Sequence, residues 1–464
     1  MLTRTARERM RRRARIPKFV SKRRWIGAAL IALAGALWLA GSGAARAAPA
    51  ALDPDAINLI FVRAAETDPA TGGLSPRGLQ RALRLGPWLA RLTGAAADGI
   101  FALAPTTRGV GPAGKLPDLA PLETIEPFAL LYAAPIAAAT AAAAACAQAP
   151  CQGIDYRDQD GANEALVARI LRARRPGNFV FAAPPETLAA IVRRMAAAAG
   201  WKLQSAPFAA AAYGTVAVIS LKPGAAAAFH AYRMAIAPPA AYPNLNLRGG
   251  GACLEAAITI SSAAAGQRPP AGVNRHETVY FIRHAEAHPT PLFENGNLVC
   301  QGEWRAIGAA PALLQKIGGR PDFLYASDPA QPVRGRAGGP RFSYIRPALT
   351  LTPFAIANRL PLELTTAFDW WDGRAAERFF FFGGAASRFS GKTVLVAWEH
   401  ATIGAIVGQL LSDYGLGAAA LPRWNRNDYD TIWKVRLDDR GNLTFTTDCE
   451  GIGSGALPSA CPFD

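Results

Sequence analysis

Five blocks of this chain recur in the same order at an offset of about 220 residues, and this self-similarity limits its architecture more than any other feature. NLIFVRAAE (58–66) parallels TVYFIRHAE (278–286), and LSPRGLQRA (74–82) parallels LVCQGEWRA (298–306). APLETIEPFA (120–129) parallels RPALTLTPFA (346–355), FVFAAPPETLAAI (179–191) parallels LVAWEHATIGAI (395–406), and YGTVAVISL (213–221) parallels YDTIWKVRL (429–437). Two halves on one plan are therefore expected.

The blocks themselves indicate the fold class. INLIF, TVYFI, NFVFA and TVLVAW are continuous apolar, β-branched runs of the kind buried on both faces of a sheet. Each precedes a stretch with helical spacing, such as LSPRGLQRALRLGPWLARL or HATIGAIVGQLL. Strands alternating with helices predict an α/β fold of two three-layer αβα domains with mainly parallel central sheets. The expected boundaries are 52–237 and 275–464, joined by a turn-rich linker over 238–274 containing APPAAYPNLNLRGGG and GQRPPAG. With 464 residues, 51% hydrophobic and 18% charged, the chain has enough apolar material for large cores, which excludes disorder as its main state. The Ala-rich run 133–145 carries no readable chemistry.

The formal charge of +16 resembles that of a nucleic-acid binder until it is located. Residues 1–47 hold twelve Lys and Arg against Glu8, which leaves +5 for the rest and removes the need for a nucleic-acid partner. A cationic start followed by the apolar stretch 26–40 and a small-residue segment reads as a secretory signal cleaved near Ala47. An uncleaved helix anchoring the protein in the inner membrane through 26–40 is the alternative; both place the bulk outside the cytosol, periplasmic or secreted. Arg23 and Arg24 fit a twin-arginine export signal poorly. Six cysteines suit disulfides in such a compartment, and Cys146 with Cys151, and Cys449 with Cys461, lie close enough to close small loops. No cysteine or histidine spacing suggests a metal site.

In α/β sheets the reactive groups lie just beyond the carboxyl ends of strands. After TVYFI come Arg283, His284, Ala285 and Glu286; after TVLVAW come Glu399 and His400; between them Arg346 opens RPALT. Guanidinium forks match phosphate oxygens two at a time, and a neutral imidazole can attack phosphorus without first losing a proton. His284 is the candidate nucleophile and His400 the opposing electrostatic stabiliser. Arg283 and Arg346 are candidate phosphate ligands, and Glu286 is counted with the substrate-binding residues as a partner that orients Arg283. His276 and His288 are expected in solvated loops, His288 at the pocket rim.

This arrangement resembles the histidine phosphatase superfamily, also called phosphoglycerate mutase-like. The resemblance rests on RHAE at 283–286, Arg346 with Thr350, and His400 after an apolar strand. It implies a phosphohistidine intermediate on His284, phosphate binding by Arg283, Arg346 and His400, and no metal or other cofactor. Departures are Ala285 where the family usually has Gly, and Ala401 where one branch has an Asp after its second histidine. For the proton donor to the leaving group, Asp369 comes first, Glu399 second and Asp372 third. In the first half Ala64, Ala120 and Pro185 stand where His284, Arg346 and His400 stand in the second, so that half reads as a noncatalytic copy. The expectation is an exported phosphatase acting on a small phosphorylated substrate. The alternative is a pseudophosphatase that binds a phosphorylated or acidic ligand, or a partner protein, without turnover.

Overall fold

The computed structural model describes residues 51–105, 108–111, 114–140, 151–156, 158, 161–199, 213–245, 247, 257–288, 295–335, 340–365 and 373–462. All belong to one compact unit, Pro49–Asp464. In its first part, strands β1 (Ile57–Arg63), β2 (Gly99–Ala102), β5 (Gly177–Ala183), β6 (Thr215–Leu221) and β7 (Ala228–Arg233) form a sheet in the order β2-β5-β1-β6-β7. Strands β8 (Thr259–Ser261), β9 (Glu277–Arg283), β10 (Phe323–Ala326), β13 (Leu362–Leu364), β14 (Thr393–Trp398), β15 (Thr431–Leu437) and β16 (Leu443–Cys449) form a second, ordered β13-β10-β14-β9-β15-β16-β8. Two small hairpins, β3 (Arg108–Gly111) with β4 (Gly114–Pro117) and β11 (Val333–Arg334) with β12 (Arg341–Phe342), lie outside these sheets.

The mixed α/β class is as expected, and the parallel order is confined to part of each sheet. Strands β2, β5 and β1, and likewise β13, β10, β14 and β9, run parallel, while β6 and β7, and β15, β16 and β8, continue antiparallel. Without its edge strands β13 and β8, the second sheet has the strand order of the first. Edge strand β8 comes from within 238–274, so part of the expected linker is sheet.

Period-two alternation divides each buried strand between two faces. Ile60 and Val62 of β1 pack on the side of α1 (Pro76–Thr93) and α2 (Ala120–Leu131), while Leu59 and Phe61 face α3 (Ala162–Ala173) and α4 (Pro185–Ala199). Tyr280 and Ile282 of β9 face α5 (Cys300–Gly308), α6 (Ala310–Ile317) and α7 (Arg346–Asn358), and Val279 and Phe281 face α8 (Arg374–Phe381) and α9 (His400–Asp413). One continuous core joins Leu122 and Ile125 of α2 with Leu349 and Leu351 of α7, so the inner helices of the two sheets share their hydrophobic contact.

One disulfide differs from the short loops suggested by sequence distance, and Cys146, suggested as the partner of Cys151, lies outside the described residues. Cys461 bonds Cys300 at the start of α5, 161 residues away, and not Cys449. Cys151 and Cys449 each take part in a disulfide as well. Among the described residues no helix is long and apolar enough to cross a membrane.

Candidate active site

β9 and β14 are adjacent and parallel, with Trp398 opposite Arg283, so the residues that follow each strand emerge at the same end of the sheet. The His284 N–H donates to the Trp398 carbonyl (2.9 Å), which continues the ladder one residue beyond the strand. His284 is 2% exposed and its ring lies 6.0 Å from both the Tyr344 and Tyr429 rings. Its Nδ1 is 2.7 Å from the Ala285 carbonyl oxygen. A carbonyl only accepts, so Nδ1 carries the proton and Nε2 keeps its lone pair. Burial, reinforced by the charges of Arg283 and Arg346 and by His400, holds the imidazole well below its usual pKa, against the pull of the Ala285 carbonyl. His284 is thus a neutral base among cations.

Arg283 donates through Nη1 to the Asp428 carbonyl (3.1 Å) and to that of Arg426, and its guanidinium stacks 4.1 Å from the centre of the Tyr429 ring. Its buried Nε has no acceptor among the described residues. Arg346, 1% exposed, is the first residue of α7, and its Nε donates to the Asn297 carbonyl (2.8 Å). Burial lowers its pKa, and Tyr344 counters that effect. Thr350, one turn along α7, accepts from the Ala285 N–H (2.8 Å) and so ties the His284 turn to the helix that carries Arg346.

His400 opens α9, and its Nδ1 lies 2.5 Å from Glu399 Oε1. Glu399 is the N-cap of that helix, its Oε2 accepting from the N–H groups of Ala401 (2.7 Å) and Thr402 (3.1 Å). Burial pushes the Glu399 carboxyl up, but His400 and the two helix N–H groups outweigh it and hold the carboxyl below its ordinary range. Glu286 is directed to Arg305 of α5, with three contacts of 2.9 to 3.0 Å, and accepts from Ser454 Oγ (2.7 Å). Arg305 also binds Glu450 (2.8 Å) and the Ile452 carbonyl (2.7 Å). Asp369 and Asp372 lie outside the described residues. His288 is half-buried, and burial and the charge of Arg346 hold its pKa down.

Tyr344, Tyr429 and Asn297 were missed by motif reasoning. Tyr429 left a signal, since its counterpart Tyr213 opens the matching block of the first half and stacks 3.9 Å from Arg63. Other first-half contacts match as well. Arg81 binds Glu66 (2.6 and 2.8 Å), Thr124 accepts from the Ala65 N–H (2.9 Å), and the Ala64 N–H donates to the Ala183 carbonyl (3.1 Å). Ala64 and Ala120 are buried where the second half places His284 and Arg346. Among the described residues no group of three His, Cys, Asp or Glu is arranged to hold a metal ion.

No protein-family model matches the chain, and no curated protein does. Solved structures similar to parts of it include a putative phosphohistidine phosphatase SixA from Agrobacterium tumefaciens, at 18% identity over 35% of this chain and 92% of that one, with a TM-score of 0.25. A phosphoserine phosphatase mutant from Entamoeba histolytica, solved with phosphoserine, is 16% identical over 39% of this chain and 99% of its own (TM-score 0.23). A second putative SixA, from Nakamurella multipartitia, is 17% identical over 37% of this chain and 88% of its own (TM-score 0.22).

Proposed function

We propose that the second half is a phosphomonoesterase working through a phosphohistidine on His284. The observation that carries this reading is the pairing of Trp398 with Arg283 on neighbouring parallel strands, which brings a neutral, tautomerically fixed His284 and His400 to one sheet end beside Arg283 and Arg346. In the first step His284 Nε2 forms a bond to phosphorus as the ester oxygen leaves and takes a proton from an acid. In the second, water attacks the phosphohistidine, losing its proton to the conjugate base of that acid, and orthophosphate departs with Nε2 restored. Arg283, Arg346 and His400 meet the charge on the equatorial oxygens.

Asp369 is assigned as the acid. Glu399 is assigned to orientation, because a carboxylate held ionised by an imidazole and two helix N–H groups is a poor proton donor. Glu286 is assigned to holding the His284 turn on α5 through Arg305. The first half is assigned as a repeat of the second that has kept its scaffold and lost its chemistry, a reading supported by the common strand order and matching contacts. Export stays with the leader, as does association with the inner membrane through 26–40; the disulfides suit an oxidising compartment.

Phosphate release from p-nitrophenyl phosphate by the mature protein tests the reaction. We expect turnover unaffected by chelator, and a loss of about 10³-fold or more in His284→Ala. Alkaline denaturing quench during turnover, under which a phosphoramidate survives, should trap phosphate on the wild type and none on the variant. Inactivity across a broad panel of phosphomonoesters at acidic and neutral pH would refute the reading.

A further inference from the structure

The turn Asn295-Gly296-Asn297 lies between the turn after His284 and the start of α7, and it is clamped on every side. Gly296 has φ +72°, and a Cβ there would lie 1.9 Å from the Ser343 carbonyl oxygen, so only glycine fits. The Gly296 carbonyl accepts from Ile345 N–H (3.1 Å), and Asn295 donates to the Ala133 carbonyl of the first half (3.2 Å). Asn297, 1% exposed, is therefore fixed in place beside Arg346, whose Nε its carbonyl holds. The neighbouring Leu298 pairs with Ala287, three residues past His284.

The Asn297 side chain is not free to rotate its amide. Oδ1 accepts from the Leu298 N–H (2.8 Å), which leaves Nδ2 as the other end, and Nδ2 is buried without an acceptor among the described residues. A buried donor left unpaired costs about 1–3 kcal/mol, and such groups in native proteins call for an outside partner. The repeat identifies the kind of partner. Glu66/Glu286 and Thr124/Thr350, common to both halves, are scaffold, and Arg63/Arg283 is the one phosphate-assigned pair that is shared. The other groups assigned to phosphate, His284, Arg346 and His400, differ between the halves, and Asn297 differs with them, since Gly73 occupies its place.

We infer that Asn297 Nδ2 is an additional donor to the phosphoryl oxygens bound by Arg346. The inference rests on the phosphatase reading for the identity of the anion, and its test is chosen to be separable from turnover. Orthophosphate and tungstate binding to the full mature protein is measured by calorimetry for the wild type, Asn297→Asp and Asn297→Gly, with thermal melting of each. The Asp variant keeps the acceptor for Leu298 and replaces the donor by an oxygen; the Gly variant reproduces the first copy.

We expect both to weaken anion binding by about 10-fold or more, the loss of one hydrogen bond to a charged group, with melting temperature little changed in the Asp variant, which keeps the acceptor for Leu298. KM for p-nitrophenyl phosphate should rise in parallel. Unaltered anion affinity in either variant, or a drop in melting temperature with affinity intact, overturns the inference and makes Asn297 a structural residue satisfied by water. If the wild type binds orthophosphate through Asn297 yet hydrolyses no ester, the donor stands and the catalytic reading falls. If it binds neither anion, both fall.

Discussion

Glu399 serves His400 and the helix behind it with the same carboxylate. One oxygen faces the imidazole and the other caps α9, so the imidazole's direction is tied to the integrity of the helix start. Glu399→Ala should lower stability by about 1 kcal/mol, typical of a lost cap, and also reduce kcat as His400 loses its orienting partner. Glu399→Gln, which still accepts from the two N–H groups, should retain most of the stability and lose kcat. Thermal melting beside steady-state kinetics separates the two effects, and equal stability losses in both variants would contradict the dual role. At this scale the histidines and arginines were legible because each follows an apolar strand or opens a helix. The partners that position them were not, because Arg426, Asp428 and Asn297 act through backbone carbonyls that any residue type supplies.

A glycine sits at the contact between α5 and the turn after β9, and another at the contact between α1 and the turn after β1. A Cβ on Gly302 of α5 would lie 2.3 Å from the Glu286 carbonyl oxygen, and one on Gly78 of α1 would lie 2.0 Å from that of Glu66. Substituting Ala at either position should cost about 1–3 kcal/mol through overpacking. Only Gly302→Ala should also depress kcat/KM, since the turn it displaces carries His284; a comparable activity loss in Gly78→Ala would show that the first half takes part directly. The alternation of strands and helices could be read from apolar runs, but strand direction could not. A run such as TIWKVRL is equally compatible with either direction, and here the turn at Asp438–Asn442 folds β15 back on β16. Disulfide partners were hidden for the same reason, because Cys300 and Cys461 meet only once α5 and the C-terminal segment are packed.

Between the two sheets, the shared core encloses a cluster of buried carboxyl groups. Glu303 of α5 and Glu126 of α2 share a hydrogen bond, with Glu123 beside them; Asp118 acts on Glu123, and the Tyr242 phenol feels Glu303. Burial pushes Glu303 up to about 7 and Glu123 to about 8, and raises Glu126 well above its ordinary range. Because the folded-state values exceed the unfolded ones, stability is greatest below about pH 4.5 as far as these groups decide it, and declines as pH rises to about 8. The melting temperature should therefore be lower at pH 8 than at pH 5. Glu126→Gln should flatten that slope, though not abolish it, since Glu277 and Glu450 are raised in the same direction. A melting temperature that climbs across this interval would show the acids to be ionised in the folded protein. The C-terminal segment is fastened to the other side of α5 by the Arg305 contacts to Glu450 and Ile452, the Trp304 donation to the Ala460 carbonyl, and the Cys300–Cys461 bond. Synthesis runs from the amino end, so the half bearing the histidines stays unfinished until Cys461 has emerged. A chain terminated before Glu450 would leave Arg305 without the Glu450 and Ile452 contacts and the Cys300 thiol unmatched, an easy target for quality-control proteases.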